Sequence, residues 1–110
     1  MRLEIRISNA GMVELLRRYI DRRLQFAVGR FGERVGNVSV RLYESGRGSE
    51  AKCRISAGLH PVGTIAVEVR DPDLFSAMDR AAGRLNRRVG RELDRLRDVR
   101  TMRDSIRVAA

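Results

Sequence analysis

Residues 71–100 read DPDLFSAMDRAAGRLNRRVGRELDRLRDVR and predict one long amphipathic helix, around which the rest of the chain is arranged. At about 100° per residue, its large apolar side chains share the side that a helix buries. These side chains are Leu74, Phe75, Met78, Ala82, Leu85, Val89, Leu93 and Leu96. Asp71 is expected to cap the first N–H groups, with Pro72 at the first helical position and Asp73 at the positive end of the helix dipole.

A row of arginines occupies roughly the opposite side of this predicted helix. It consists of Arg80, Arg84, Arg87, Arg91 and Arg95, with Arg88 at its border. A run of charges on a helix is most often a solvated face, but such faces usually alternate in sign to gain pairs of opposite charge. Few acids interrupt this row, so the six arginines are candidate ligands for an anion.

The composition points to the same class of partner. The chain has 110 residues with 23 Lys and Arg against 14 Asp and Glu, a formal net charge of +9. A length in this range predicts one domain, and such an excess of positive charge favours nucleic acid first and an acidic membrane surface second. No stretch is apolar for long enough to act as a signal core or to span a bilayer, so a cytoplasmic location is expected.

Hydrophobic periodicity orders the remaining elements. It predicts a strand over Arg2–Ile7, a helix from Val13 to about Arg34 that is stopped by Gly36 and Asn37, and strands over residues 38–43, 51–56 and 64–70, joined by turns at 8–11, 45–49 and 58–63. Each strand has one apolar face, so both helices must cover the same side of the sheet. The predicted fold is α+β, a two-layer β-α-β-β-β-α domain over residues 1–100 with a four-stranded mixed sheet. Residues 101–110 lack periodicity and are expected to form a C-terminal tail that frays or is disordered.

The residues that enzymes and metal sites need are scarce. His60 stands alone beside a proline in a predicted turn, and Cys53 is the single cysteine on the apolar face of a predicted strand. One His and one Cys cannot complete a tetrahedral metal site or a nucleophilic constellation. We therefore expect no enzymatic activity, no cofactor, no metal and no small-molecule substrate.

The mode of nucleic-acid binding can be narrowed further. Only Tyr43 is an outward aromatic on the sheet, which disfavours a platform that stacks the bases of single-stranded RNA. An arginine row can instead follow the phosphates of a folded RNA, reading shape and charge more than sequence. Additional positive charge is expected on the open sheet face from Arg2, Arg6, Arg41, Lys52, Arg54 and Arg70.

The sequence of the last predicted helix resembles that of a known family, the ribosome hibernation-promoting factor and ribosome-associated inhibitor A family, also called the sigma-54 modulation protein family. The family pattern is approximately D-x-Y-x-A-I-D, four residues, then K-L-x-R-Q-L-x-K. This chain matches it without a gap through Asp73, Phe75, Ala77, Met78, Asp79, Arg84, Leu85, Arg87, Arg88, Val89 and Arg91. Phe75 replaces Tyr, and Arg88 replaces the usual Gln.

The resemblance implies a fold similar to double-stranded RNA-binding domains. It also implies binding of the small ribosomal subunit and its ribosomal RNA in the channel of tRNA and mRNA, which stops translation and preserves idle ribosomes in stress and stationary phase. The family's basic helical positions fall on Arg84, Arg87 and Arg91, whereas Arg80, Arg88 and Arg95 are added from the geometry of the row. Two alternatives stay open: a generic module for structured RNA, and a protein-interaction domain for an acidic partner.

Overall fold

The structure, a computed structural model, describes residues 1–8, 13–44 and 50–109, and side chains as far as residue 106. In chain order the elements are β1 (Arg2–Ser8), α1 (Val13–Val28), a 3₁₀ helix (Gly29–Arg34), β2 (Val35–Glu44), β3 (Ala51–Leu59), β4 (Gly63–Asp71) and α2 (Leu74–Ala109). The sheet order is β1-β2-β3-β4, with β1 parallel to β2 and the other pairs antiparallel. Both helices pack on one face, which confirms the predicted two-layer fold.

The core lies between the sheet and the helices because alternate strand residues face the same way. Val40, Leu42, Cys53 and Ile55 are all within 1% of complete burial, whereas their neighbours along each strand are turned to the open face. From the first helix, Leu16, Ile20, Leu24, Ala27 and Val28 complete the layer. The period-2 pattern of the strands and the helical pattern of α1 therefore produce one continuous apolar core.

Helix α2 lies on the sheet through small residues as well as large ones. Met78, Leu85 and Val89 are fully buried, as the apolar stripe predicts, but so are Ala77 and Ala81, which that stripe does not include. An alanine projects only a methyl group, so the helix backbone can come close to the strands at these two positions. The buried surface of α2 is consequently turned towards β4 by more than the large residues alone indicate.

The first helix ends earlier than predicted. The α-helical part stops at Val28, and a 3₁₀ helix continues to Arg34 with a kink at Gly32, whose φ of 58° lies in the left-handed region. Gly29 and Gly32 are poor helix formers, and only glycine adopts such a φ at little cost. The partly buried Phe31 still packs against the core, which explains why its spacing looked helical.

Gly36 and Asn37 are predicted to stop the first helix, but in the structure both residues belong to β2. The register between β2 and β3 shifts between Val35 and Val38, where an irregularity accommodates these two residues. Val35 and Val38 are consequently both buried although they are three residues apart. A bulge of this kind accommodates extra residues without moving the rest of the strand to the wrong face.

The start and the end of α2 also differ from the prediction. Asp73, not Asp71, caps the helix, because its Oδ2 accepts the Ser76 N–H at 2.8 Å, and Pro72 precedes the first helical residue. The Asp71 carboxylate instead accepts the N–H of Asp73 at 2.9 Å. At the other end α2 continues past residue 100 to Ala109, and the division of the chain into a domain of 1–100 and a tail of 101–110 remains a prediction.

Two of the predicted turns involve residues outside the described ranges, at 9–11 and 45–49. The third is shorter than predicted, because β3 extends to Leu59 and β4 begins at Gly63. Gly63 has a φ of 113°, a conformation that favours glycine at the point where the chain enters β4. His60 lies exposed in this turn, and its N–H donates to the Arg34 carbonyl at 2.8 Å.

Candidate nucleic-acid interface

Three of the predicted arginines follow the outer edge of β4. The guanidinium of Arg80 donates to the Arg70 carbonyl at 3.3 Å. Arg84 donates to the Glu68 carbonyl at 2.9 Å, and Arg88 donates to the Ala66 carbonyl at 3.2 Å. Successive arginines on the helix thus meet alternate carbonyls on the strand, one after another.

We call Arg80, Arg84 and Arg88 the seam, and the residue spacing of the helix and the strand explains why all three reach β4. Four helical residues advance by about 6 Å, and two residues of a strand advance by about 6.8 Å, so the contacts stay in step over two turns. β4 is an edge strand, and its outward carbonyls would otherwise face only solvent. A guanidinium makes stronger hydrogen bonds to them than a neutral donor does. Arg80, Arg84 and Arg88 therefore tie α2 to the sheet and cover the edge.

Carboxylates engage two members of this seam further. Arg80 pairs with Asp71 at 3.1 Å, and the pKa of Asp71 lies below its ordinary value because its carboxylate accepts the Asp73 N–H and the Arg80 guanidinium. Arg88 lies 4.0 Å from Glu92. All three seam arginines remain exposed, so their charge still contributes to the surface potential.

The other predicted arginines make no hydrogen bond to β4 among the described residues. Arg87 and Arg91 are exposed and have no hydrogen-bond or ion-pair partner among the described residues. The Arg95 side chain is 74% exposed and lies 4.0 Å from Glu92, the limit of an ion pair. These three side chains form the outer row, the part of the predicted stripe that is free to contact a ligand.

The arginine stripe is thus not a single surface on the side opposite the core. Ala77 and Ala81 are buried, the stripe lies beside the outer edge of β4, and it divides into a seam and an outer row. The side chains that the sequence brings together as Arg80, Arg84, Arg87, Arg88, Arg91 and Arg95 do lie along one flank of α2. Only part of that flank has its donors free.

The other flank of α2 contacts α1 through a polar cluster that the sequence did not indicate. The Tyr19 hydroxyl donates to the Asp79 carboxylate, which also accepts Nε of Arg23 at 3.2 Å. The Tyr19 ring meets the Phe75 ring edge-on, with the centroids 5.0 Å apart. The hydrogen bond to Asp79, followed by burial, raises the pKa of Tyr19. This cluster fixes α2 against α1, which holds the outer row in one orientation.

The open face of the sheet carries the predicted positive charge, and some of it is paired. Lys52 donates to Glu68 at 2.8 Å, and Arg54 lies 3.4 Å from the same carboxylate. These cations hold the pKa of Glu68 below its ordinary value, and the bond to Glu68 raises the pKa of Lys52. Arg6 pairs with Glu4 at 3.1 Å.

The described residues offer little to other kinds of chemistry. They contain no group of three or more His, Cys, Asp or Glu that could hold a metal ion. Cys53 is fully buried with its Sγ 3.8 Å from the sulfur of Met78, and burial raises the pKa of its thiol to about 12. Within the same ranges, no helix combines the length and apolarity needed to cross a bilayer.

Known proteins share both the sequence pattern and the fold. Residues 3–97 match the family described as "Sigma 54 modulation protein / S30EA ribosomal protein". The N-terminal domain of Protein Y from Thermus thermophilus superimposes with a TM-score of 0.70 at 29% identity, covering 83% of this chain and 98% of that one. A ribosomal subunit interface protein from Coxiella burnetii gives a TM-score of 0.71 at 13% identity, covering 86% and 99%, a likeness of fold alone. No curated protein sequence matches. Since the family pattern spans nearly the whole of the described fold, the chain belongs to the sigma 54 modulation protein / S30EA ribosomal protein family.

Proposed function

We propose that this protein binds the small ribosomal subunit in the channel of tRNA and mRNA and inhibits translation by occupying it. Arg87 and Arg91 make the primary contacts with ribosomal RNA phosphates, Arg95 extends this row, and Arg80, Arg84 and Arg88 add charge while they hold α2 on the sheet. Membership of a family named for ribosomal proteins supports the choice of partner. In this proposal the protein inhibits translation sterically and catalyses no reaction.

The observation that carries the proposal is the pair of guanidiniums of Arg87 and Arg91, which have no partner among the described residues, on an otherwise anchored helix. Arg87 and Arg91 are one helical turn apart, so both can reach successive phosphates of one RNA strand. Their helix is held on one flank by β4 and on the other by Tyr19 and Asp79. A side chain on a fixed backbone loses less freedom on docking than one on a mobile basic tail, and this raises affinity for a given set of contacts.

The decisive experiment is co-sedimentation with purified small subunits, paired with translation in a cell-free extract. The double variant Arg87→Glu and Arg91→Glu should lose both binding and inhibition. Its matched control is Arg100→Glu with Arg103→Glu, which makes the same change in net charge on the exposed far part of the same helix. Retained binding by the first variant, or equal loss by both, would contradict a role for the outer row.

Two further arms separate the alternative functions. If naked duplex RNA displaces the protein from subunits at comparable concentration, the protein is a generic binder of structured RNA. If its cellular association survives nuclease treatment, an acidic protein partner replaces ribosomal RNA. The proposed function predicts that duplex RNA competes poorly and that nuclease abolishes the association.

A further inference from the structure

The open face of the sheet carries three arginines in one row across three adjacent strands. Arg6 on β1 is the register partner of Arg41 on β2, and Arg41 is the register partner of Arg54 on β3. Their side chains project from the same face, opposite the helices, because each alternates with core-facing residues of its strand, which are half-buried on β1 and buried on β2 and β3. We call Arg6, Arg41 and Arg54 the sheet triad.

Such a row is unfavourable for the isolated sheet. In an antiparallel pair such as β2 and β3, directly opposed residues have Cβ atoms about 4.5–5.5 Å apart, and like charges there, as at Arg41 and Arg54, destabilise the pairing. Carboxylates relieve only the two ends: Glu4 pairs with Arg6 at 3.1 Å and Glu68 pairs with Arg54 at 3.4 Å. Arg41 has a cation on either side and no carboxylate partner among the described residues, only the Tyr43 ring at 5.9 Å. The centre of the triad therefore has unbalanced positive charge.

The three triad arginines, together with Glu4, Ser39, Val40 and Ser56, line a depression of about 310 Å³ on this face. Ser39 and Ser56, which are register partners of each other, contribute hydroxyl groups to its lining beside the triad. Hydroxyl and guanidinium donors are the groups that proteins commonly present to phosphate oxygens. The volume is at the lower end of that of ligand pockets, enough for part of a nucleotide.

We infer that the sheet triad, centred on Arg41, is a second site for RNA phosphates, separate from the outer row on α2. The inference rests on the proposed function and deepens it. The two sites lie on opposite layers of the domain, so one RNA strand would have to pass around an edge of the sheet to contact both. The protein would thus be held between two RNA surfaces, as a domain seated in a channel requires.

The test compares the affinity and the salt dependence of binding to purified small subunits. Arg41→Ala should lower the slope of log K against log salt concentration by about 0.7 to 1, the contribution of one phosphate contact. Arg41→Glu should weaken binding by about tenfold or more. The matched control is Arg18→Glu on the outer face of α1, where Arg18 is exposed and unpartnered within the described ranges.

Stability provides an independent readout, because the inference predicts that Arg41→Glu weakens binding without lowering the stability of the fold. Arg41→Glu places a carboxylate between Arg6 and Arg54, so its thermal midpoint should equal or exceed that of the wild type while its binding falls. If Arg41→Glu lost stability as well as binding, misfolding would explain the loss of binding, and the inference would be overturned. A photo-crosslinking residue in place of Ser39 should also capture RNA, and capture of ribosomal protein alone would overturn it.

The remaining outcomes distinguish the two proposals. If the wild type binds subunits and the Arg87 and Arg91 variant does not, but Arg41→Glu binds normally, the sheet site is excluded and the proposed function stands. If Arg18→Glu weakens binding as much as Arg41→Glu does, net charge accounts for the effect and the sheet site is likewise excluded. If the wild type does not bind subunits at all, both proposals fail.

Discussion

The Arg84 guanidinium donates to the Glu68 backbone carbonyl at 2.9 Å and so joins helix α2 to the edge strand β4. Arg80 and Arg88 repeat this contact one turn to each side. At the opposite edge of the sheet, Arg17 of α1 donates to the Ile5 carbonyl of β1 at 3.2 Å. Arginines from the helical layer thus contact both edge strands. An edge occupied in this way is a poor template for pairing with another chain.

Arg84 and Arg87 should separate stability from binding. Arg84→Ala removes a charge-assisted bond at an exposed site, and we expect it to lower the free energy of unfolding by about 0.5–1 kcal/mol. Arg87→Ala removes no described contact and should change stability by less than about 0.5 kcal/mol, while weakening subunit binding more than Arg84→Ala does. Urea unfolding and subunit binding of the two variants provide the comparison. Equal destabilisation would mean that the seam does not hold the helix.

The polar cluster between the helices should be a measurable part of the stability. Asp79→Ala removes the carboxylate that accepts from both the Tyr19 hydroxyl and Nε of Arg23, although Arg23 keeps its bond to the backbone carbonyl of residue 79 at 3.5 Å, and we expect a loss of about 1–2 kcal/mol. Tyr19→Phe removes a single bond and should cost less. Asp94→Ala is the control, because its contact with Arg97 at 3.2 Å is between side chains that are 68% and 77% exposed, and such pairs contribute about 0–1 kcal/mol. Similar losses from Asp79→Ala and Asp94→Ala in urea titrations would contradict this assignment.

The same cluster predicts a specific alkaline instability. The pKa of Tyr19 is raised above its ordinary value in the folded protein, chiefly by its bond to Asp79. Its contribution to stability is therefore complete below the pKa of an unfolded tyrosine, about 10, and is lost as the pH rises through the higher folded value. The difference in unfolding free energy between wild type and Tyr19→Phe should shrink over that range. A difference that stays constant from neutral to strongly alkaline pH would rule the effect out.

The kink after α1 should depend on one glycine and not on its neighbour. A Cβ at Gly32 would meet no atom within 4 Å, but its φ of +58° is unfavourable for any L side chain. Gly32→Ala should therefore lower the free energy of unfolding by about 1–2 kcal/mol through backbone strain alone. Gly29 is equally open but has no positive φ, so Gly29→Ala should be neutral or slightly stabilising. Thermal unfolding of the pair would test this, and equal effects would contradict it.

Local periodicity predicted most of the fold because the face that each residue occupies is largely a local property. Val40 and Leu42 alternate with Ser39 and Arg41 whatever the strand is paired with, so the sequence alone reveals their faces. Which residue caps α2, in contrast, is not decided by the local sequence. Asp71 and Asp73 can both cap, but Asp71 is paired with Ala51 as the last residue of β4, which leaves Asp73 as the residue next to the helix.

The division of the arginine stripe could not be read from the sequence, because it depends on what lies beside the helix. Arg84 and Arg87 are the same residue type on one flank of α2. They differ only in that β4 presents a carbonyl within reach of Arg84. The bond between Tyr19 and Asp79 joins residues 60 positions apart, and the sheet triad depends on the register of three strands. Such relationships are tertiary, and no spacing within a single element encodes them.

Helix α2 has 36 residues, which corresponds to about 54 Å. Side chains are buried or half-buried along its first part as far as Leu96, and each one from Arg97 to Ile106 is exposed, in a molecule measuring 62 × 24 × 17 Å. The direction of the exposed second part of α2 is therefore set by the contacts that the first part of the helix makes with β4 and α1. A small change in the angle between α2 and the sheet would therefore displace the far end of the helix by a distance that grows with the length of its exposed part.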